Sequence, residues 1–428
     1  MQDFRLRTAT TNRSQMTGKV ISMCTNEEKG MPIKPFRFSL TELGGALGDV
    51  GTLIPLVVAL ITINKMDPAS VLLIPALLYI GAGLYYRVPM PVQPLKAVSA
   101  IAISSGLAPS VISASGLLMG AFLLFLSLTG LIDRIAKFFS KPVIRGVQLS
   151  VGLLLIKSGI RLILKPQLRI NGSSAILGIV HAHIPLGFLV ALGAMAIFTY
   201  SSAKRRFPAS LALLAYGIGV SFLFDPPIGL KGNDFNVFFP YVHFPTIQEL
   251  SIAFKLLVIS QIPLTLGNAV VATSDTARLY FGERGNKVTC KALSFGMGLA
   301  NIAAGLLGGM PVCHGSGGLT AHYRFGARTG GSNLMIGTIC LALAVFFGKA
   351  MLPILSLIPY PILGVLLSFV GIQHSLLIRD LDAKEDFFVA AFIALVTMVT
   401  NNLAIAFGLG LGTYHILKFT KAPGSKAR

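Results

Sequence analysis

Met90-Pro91-Val92-Gln93-Pro94-Leu95-Lys96 and Met310-Pro311-Val312-Cys313-His314-Gly315-Ser316-Gly317-Gly318 are two versions of one local pattern. Each opens on Met-Pro-Val and interrupts an apolar run, and the second begins 220 residues after the first in a chain of 428. Two further echoes share the offset. Leu47-Gly48-Asp49 returns 219 residues later as Leu266-Gly267-Asn268, and Pro142-Val143-Ile144-Arg145-Gly146-Val147 returns as Pro361-Ile362-Leu363-Gly364-Val365 with one residue dropped. Three collinear echoes predict an internal duplication.

Composition names the solvent. Hydrophobic residues make up 54% of the chain and charged ones 12%, with a mean hydropathy of +0.75, against roughly a quarter charged in soluble domains. Long apolar runs recur at 50–63, 71–85, 111–131, 184–200, 211–224, 336–347 and 387–399. With its flanks, each supplies the ~20 residues that cross ~30 Å of hydrocarbon. The parse gives about seven such segments per half, so the fold expected is an all-α polytopic membrane protein of about fourteen transmembrane segments. An odd number per half makes the second half enter from the opposite face, so the repeats are inverted. The expected organisation is a cytoplasmic tail 1–37, a first repeat 38–228, an external loop 229–250, a second repeat 251–419 and a cytoplasmic tail 420–428.

The formal charge of +20 follows the membrane. Arg134, Lys137, Lys141 and Arg145, then Lys204, Arg205 and Arg206, then Arg278, Arg284, Lys287 and Lys291 all fall on the side of the basic N-terminal tail in a fourteen-span parse. The positive-inside rule then puts both termini in the cytoplasm. The bases sit at helix ends and not in an aromatic-interleaved groove, which excludes nucleic acid as a partner. Cys24, Cys290, Cys313 and Cys340 lack metal-ligand or disulfide spacing. No cleaved secretory signal is expected before the first span. The expected location is the plasma membrane, or an organelle membrane in a eukaryote. Neither HExxH nor the Gly-Lys-Ser/Thr end of a phosphate loop is present, and no catalytic or metal-binding set is expected.

Three prolines between Pro89 and Pro94 forbid continuous helix, but proline suits a first helical turn, so a short helix is expected over 95–104. In the second copy, Gly315, Gly317 and Gly318 replace the prolines and let a ligand approach the backbone. Inversion aims both short helices' N-termini at one spot from opposite sides, and free N–H groups with the positive end of the helix dipole suit an anion. The candidate substrate-binding set is therefore Gln93, Pro94, Lys96, His314, Gly315, Ser316, Gly317 and Gly318, with Asn268, Thr265 and Gln261 as neutral donors on the facing helix. Lys96 brings a full charge into an apolar region, or else pairs with Asp49. A carboxylate beside an anion repels it unless protonated or salt-bridged, so Asp49 is the candidate for coupling proton uptake to transport. Arg324 and Arg328, at a cytoplasmic helix end, have a gating or structural role.

At these segments the chain resembles the molybdate transporter family, a branch related to the sulfate permeases. The likeness runs from about Phe38 to Phe419 and is carried by Leu43-Gly44-Gly45-Ala46-Leu47-Gly48-Asp49-Val50-Gly51-Thr52, by Pro91 to Ala97, and by Met310 to Gly318 with Tyr323-Arg324-Phe325-Gly326-Ala327-Arg328-Thr329-Gly330. Leu95 stands where the family commonly has methionine and Ser316 where it has alanine. The resemblance implies a seven-plus-seven inverted repeat like that of uracil permease, with a core (spans 1 to 4 and 8 to 11) and a gate (spans 5 to 7 and 12 to 14). It further implies high-affinity molybdate uptake without a cofactor and without enzymatic activity. The residues themselves indicate a tetrahedral oxyanion. Tungstate, sulfate or a general oxyanion carrier, an anion channel, and a homodimer all stay open at this stage.

Overall fold

Residues 35–132, 134, 140–165, 169–170, 173–174, 176–179, 182–204, 209–224, 242–348, 350 and 358–420 are described by the computed structural model. The chain starts its helical part with α1 (Leu40–Ala46), capped by the Ser39 hydroxyl, which accepts from Glu42 N at 3.2 Å. A 3-10 turn, Leu47–Asp49, joins it to α2 (Val50–Thr62). Asp67 and Pro68 start α3 (Pro68–Tyr86), the carboxylate accepting from Ser70 N and proline occupying the first turn. A short strand β1 (Gln93–Pro94) leads into α4 (Lys96–Ser105), one residue later than the helix start expected at Leu95. Leu95 is its N-cap, because Pro94 belongs to the strand and holds its predecessor extended. Gly106, at φ +63°, ends α4 in the left-handed region.

Next come α5 (Pro109–Thr129) and α6 (Lys141–Leu164). Two small antiparallel pairs follow, β2 (Arg169–Ile170) with β3 (Ser173–Ser174) and β4 (Ile176–Ile179) with β5 (Ala182–Pro185). The first half finishes with α7 (Leu186–Lys204) and α8 (Ala209–Phe224). A continuous 41-residue helical rod then spans Ile247–Lys287. It contains α9 (Ile247–Ala253), α10 (Ile259–Leu264) and α11 (Thr273–Phe281), separated by π-helical stretches at Phe254–Val258 and Thr265–Ala272. The remainder is α12 (Cys290–Leu306), β6 (Val312–Cys313), α13 (Ser316–Arg324), α14 (Gly331–Phe347), α15 (Tyr360–Ser375), α16 (Lys384–Thr400) and α17 (Leu403–Thr420).

Five of the described helices are long and apolar enough to cross a bilayer, six if α1 and α2 count as one bent span. Large apolar side chains such as Leu128, Leu164 and Leu279 stand more than 60% exposed along them, as expected where the surrounding solvent is lipid. The protein is a multi-pass integral membrane protein. Its helices pair across the two halves: α3 packs on α14, α5 on α12 and α6 on α15. Glycine makes the last crossing. A Cβ on Gly152 would stand 2.5 Å from Gly371 O and one on Gly371 2.5 Å from Gly152 O; Gly159 and Gly364 repeat the arrangement. Backbone contact of this kind is how helices associate in lipid, where burying apolar surface brings little gain.

Candidate functional site

The two Met-Pro-Val segments meet in the middle of the molecule. Strands β1 and β6 pair antiparallel, Gln93 opposite Cys313 and Pro94 opposite Val312, and Leu95 N donates to Pro311 O at 2.9 Å. Antiparallel pairing makes α4 and α13 leave the crossing in opposite directions with their N-termini adjacent. Extended backbone has no hydrogen bonds of its own, so buried side chains supply them. Asn333 accepts from Met90 N at 2.8 Å and donates to Met90 O at 2.7 Å; Asn301 does the same for Val312 N and O, both at 2.8 Å. Tyr79 Oη donates to Val92 O at 3.2 Å. Leaving such a buried group unpaired costs about 1–3 kcal/mol. Asn301 and Asn333 escaped the sequence reading, although a lone amide inside an apolar helix is a visible signal.

Three polar side chains converge where a side chain at Gly315 would begin. A Cβ there would lie 3.1 Å from Gln93 Oε1, 3.5 Å from Lys96 Nζ and 3.6 Å from Asn268 Nδ2. Ser316 Oγ donates to Asn268 Oδ1 at 2.8 Å, turning the Asn268 amide nitrogen toward this point. Lys96 is 7% exposed, and among the described residues no carboxylate comes within ion-pair distance of it. Asp49 lies near enough to feel the Lys96 charge but makes no ion-pair contact with it. Asp49 is held instead by Gln93, whose Nε2 donates to both carboxylate oxygens. Gly318 seats that pair: a Cβ on it would come within 2.7 Å of Asp49 Oδ2, Gln93 Nε2 and Pro91 Cβ. Gly317 is exposed with open space around it.

The two helix starts are unequal. Gln261 Oε1 accepts from Ala97 N at 2.9 Å and from Val98 N at 3.3 Å, so α4 is capped from the facing rod. Gln261 thus serves as an acceptor at a helix N-terminus, and one hydrogen of its Nε2 goes to Thr265 Oγ1 at 3.0 Å. Thr265 stands one step behind the site as the support of that cap. By contrast, no side chain among the described residues caps α13. Asp49 and Asn268, the two echo positions, both sit in departures from α-helix, a 3-10 turn and a π stretch. The 3-10 turn tightens the helix and the π stretch widens it, and departures of both kinds recur at functional sites.

His314 is fully buried, and its Nδ1 lies 2.7 Å from Pro91 O, so it ties one Met-Pro-Val copy to the other. Tyr86 meets its ring edge-on, centroids 6.0 Å apart. Pro94 is buried in β1 and its carbonyl faces Cys313 Sγ at 3.9 Å. Arg324 is exposed at the last turn of α13. Arg328 folds back on its own turn, donating to the Tyr323 and Ala327 carbonyls and lying 3.8 Å over the Tyr323 ring. Glu42, 3% exposed, accepts from Arg328 N, Thr329 N and Thr329 Oγ1 at 3.0–3.2 Å and so fastens that turn to α1. No motif pointed to Glu42, because its partners lie some 286 residues away.

A crossing of two short strands between half-helices, reached from both halves of the chain, can be compared with known proteins. The family described as "Molybdate transporter of MFS superfamily" matches residues 41–155 and 253–373, one block in each half. The chain belongs to the molybdate transporter family. Molybdate transporter 2 of Arabidopsis thaliana is 33% identical over 414 residues, covering 88% of this chain and 87% of that protein. Molybdate transporter 1 of the same plant is 30% identical over 445 residues, covering 97% and 95%. Among solved structures, the transmembrane domain of the cyanobacterial bicarbonate transporter BicA has a TM-score of 0.61 at 18% identity, covering 87% of this chain and 96% of that one. That likeness concerns the fold alone. The protein is a membrane transporter and not an enzyme.

Proposed function

We propose that this transporter takes up molybdate by secondary active transport, binding the oxyanion at the β1/β6 crossing and exposing it to each face in turn. The observation that carries the reading is the Lys96 ammonium, nearly buried and with no carboxylate in ion-pair contact among the described residues, aimed with Asn268 Nδ2 at the open start of α13. A buried unpaired cation costs several kcal/mol, and a bound anion removes that cost. Lys96 and the Asn268 amide supply side-chain donors, while Ser316, Gly317 and Gly318 supply backbone N–H groups at the positive end of α13. Gln93 and Pro94 shape the other wall.

The same reading takes the molecule as seven-plus-seven inverted repeats, fourteen spans in all. The α3/α14 and α5/α12 contacts exchange under such a symmetry, and α6/α15 and β1/β6 map onto themselves. These contacts also support a core built from α1 to α5 and α9 to α14 and a gate built from α6 to α8 and α15 to α17. Rigid motion of one on the other then moves the site between faces.

The test is uptake of labelled molybdate into cells or vesicles at nanomolar concentration, with sulfate in large excess. Molybdate accumulation that resists sulfate is the expected result. Sulfate competing at comparable concentration would instead identify a general oxyanion carrier, and saturation-free current without accumulation an anion channel.

Asp49 sets the proton dependence. With the carboxylate ionised, Asp49 and Lys96 cancel and a dianion meets no net positive charge; with it protonated, Lys96 acts alone. Uptake should therefore rise as pH falls, and Asp49→Asn, which keeps an acceptor for Gln93, should flatten the pH profile. An unchanged profile in the variant would remove Asp49 from the coupling role.

A further inference from the structure

A cavity of about 730 Å³ lies between α3, the end of α5 and α12, away from the crossing strands. Its walls are apolar stripes at helical spacing, from Ile74 to Tyr85 on α3 and from Ala292 to Ala303 on α12. At 1.5 Å per residue each stripe is about 16 Å long, roughly half of the ~30 Å hydrocarbon layer and so the depth of one leaflet. One end is polar: Ser127, Thr289 and Lys291 gather there beside Tyr85. Ser127 Oγ donates to Lys291 O at 3.0 Å, joining α5 to α12 at that mouth. Lys291 is exposed, with no ion-pair partner among the described residues. Two glycines hollow the facing stripes. A Cβ at Gly81 would meet nothing within 4 Å, and one at Gly296 only Tyr86 Oη at 3.8 Å.

From the leaflet-deep apolar groove with a lysine at its polar mouth, we infer a binding site for one anionic phospholipid, its acyl chain between α3 and α12 and its phosphate on Lys291. A groove opening between membrane-crossing helices is bathed in acyl chains, and the unpaired cation selects among headgroups. Tyr86 links this site to the crossing strands. It lines the groove, and its ring meets His314, whose Nδ1 rests on Pro91 O. An acyl chain against Tyr86 therefore braces the crossing of the two Met-Pro-Val segments.

Native mass spectrometry of the full chain, extracted from bilayers of phosphatidylcholine with phosphatidylglycerol, reads the site directly. The wild type should retain one phosphatidylglycerol in preference to phosphatidylcholine. Lys291→Gln should lower that preference about fivefold, the worth of one interfacial lysine. Gly81→Leu with Gly296→Leu, which fills the groove without touching backbone, should abolish retention while the melting temperature holds. Equal retention by all three proteins would overturn the inference, as would a groove sealed by a second copy or binding of free glycerol phosphate without lipid. Retention does not depend on the transported anion, so its failure is distinct from failure of the proposed function. The link through Tyr86 rests on that function and is read separately, as slower molybdate uptake in vesicles lacking anionic lipid.

Discussion

Lys96→Gln should reach the membrane folded and fail to accumulate molybdate. The substitution keeps most of the side chain's reach and removes the one charge near the crossing that lacks a partner among the described residues. A hydrogen bond to a charged group is worth about 1.5–3 kcal/mol, so affinity should fall by at least about tenfold and, in a site screened from water, nearer a hundredfold. Stability should move the other way. Without bound anion the wild type holds a nearly buried ammonium at a desolvation cost, and Gln has no charge to desolvate, so the variant should melt at the same temperature or higher. Added molybdate should stabilise the wild type by about 2.7 kcal/mol at a hundred times its dissociation constant, and the variant at that same concentration by only about 0.4–1.4 kcal/mol. Uptake kinetics and anion-dependent thermal melting check both arms. An unaltered KM would move the anion elsewhere, and a loss of melting temperature without anion would make Lys96 a structural residue.

Gly318→Ala should be nearly as damaging, for a steric reason. The added methyl would sit 2.7 Å from Asp49 Oδ2, Gln93 Nε2 and Pro91 Cβ together. None of the three can yield cheaply: Pro91 belongs to the extended segment tied to His314, and the other two hold each other. Overpacking of this kind costs about 1–3 kcal/mol, and relief by sliding α13 away displaces Ser316 from Asn268. Uptake should fall more than about tenfold at normal expression. Gly317→Ala is the stability control, because a Cβ there meets nothing within 4 Å and alanine is the better helix former by about 1 kcal/mol. Its melting temperature should hold or rise while that of Gly318→Ala drops. Equal melting of the two would refute the packing of α13 against Asp49 and Gln93.

Where the sequence was misleading, the cause was long-range pairing. Gln261, Asn268 and Thr265 share a helix face at helical spacing, and periodicity treats them alike. In the folded protein the first caps α4, the second is oriented by Ser316, and the third supports the first. Lys96 and Asp49 invite a salt bridge on paper. Gln93 takes the carboxylate because it leaves β1 on the side of the 3-10 turn. His314, a plausible ligand donor by type, is occupied by a proline carbonyl from the other half of the chain. The buried clamps Glu42, Asn301 and Asn333 act on backbone groups that no local pattern exposes.

Apolar run length, proline placement and the 220-residue echo determined by themselves that this is a many-helix membrane protein with two broken segments. Those properties depend on composition and on local backbone sterics, which neighbours along the chain suffice to express. Only the tertiary structure decided that β1 and β6 pair, that α4 is capped while α13 is open, and that no carboxylate among the described residues makes an ion-pair contact with Lys96. These depend on which buried polar groups from distant segments satisfy one another first. What remains unsatisfied after that competition, an ammonium and an uncapped helix start, is what a ligand can use.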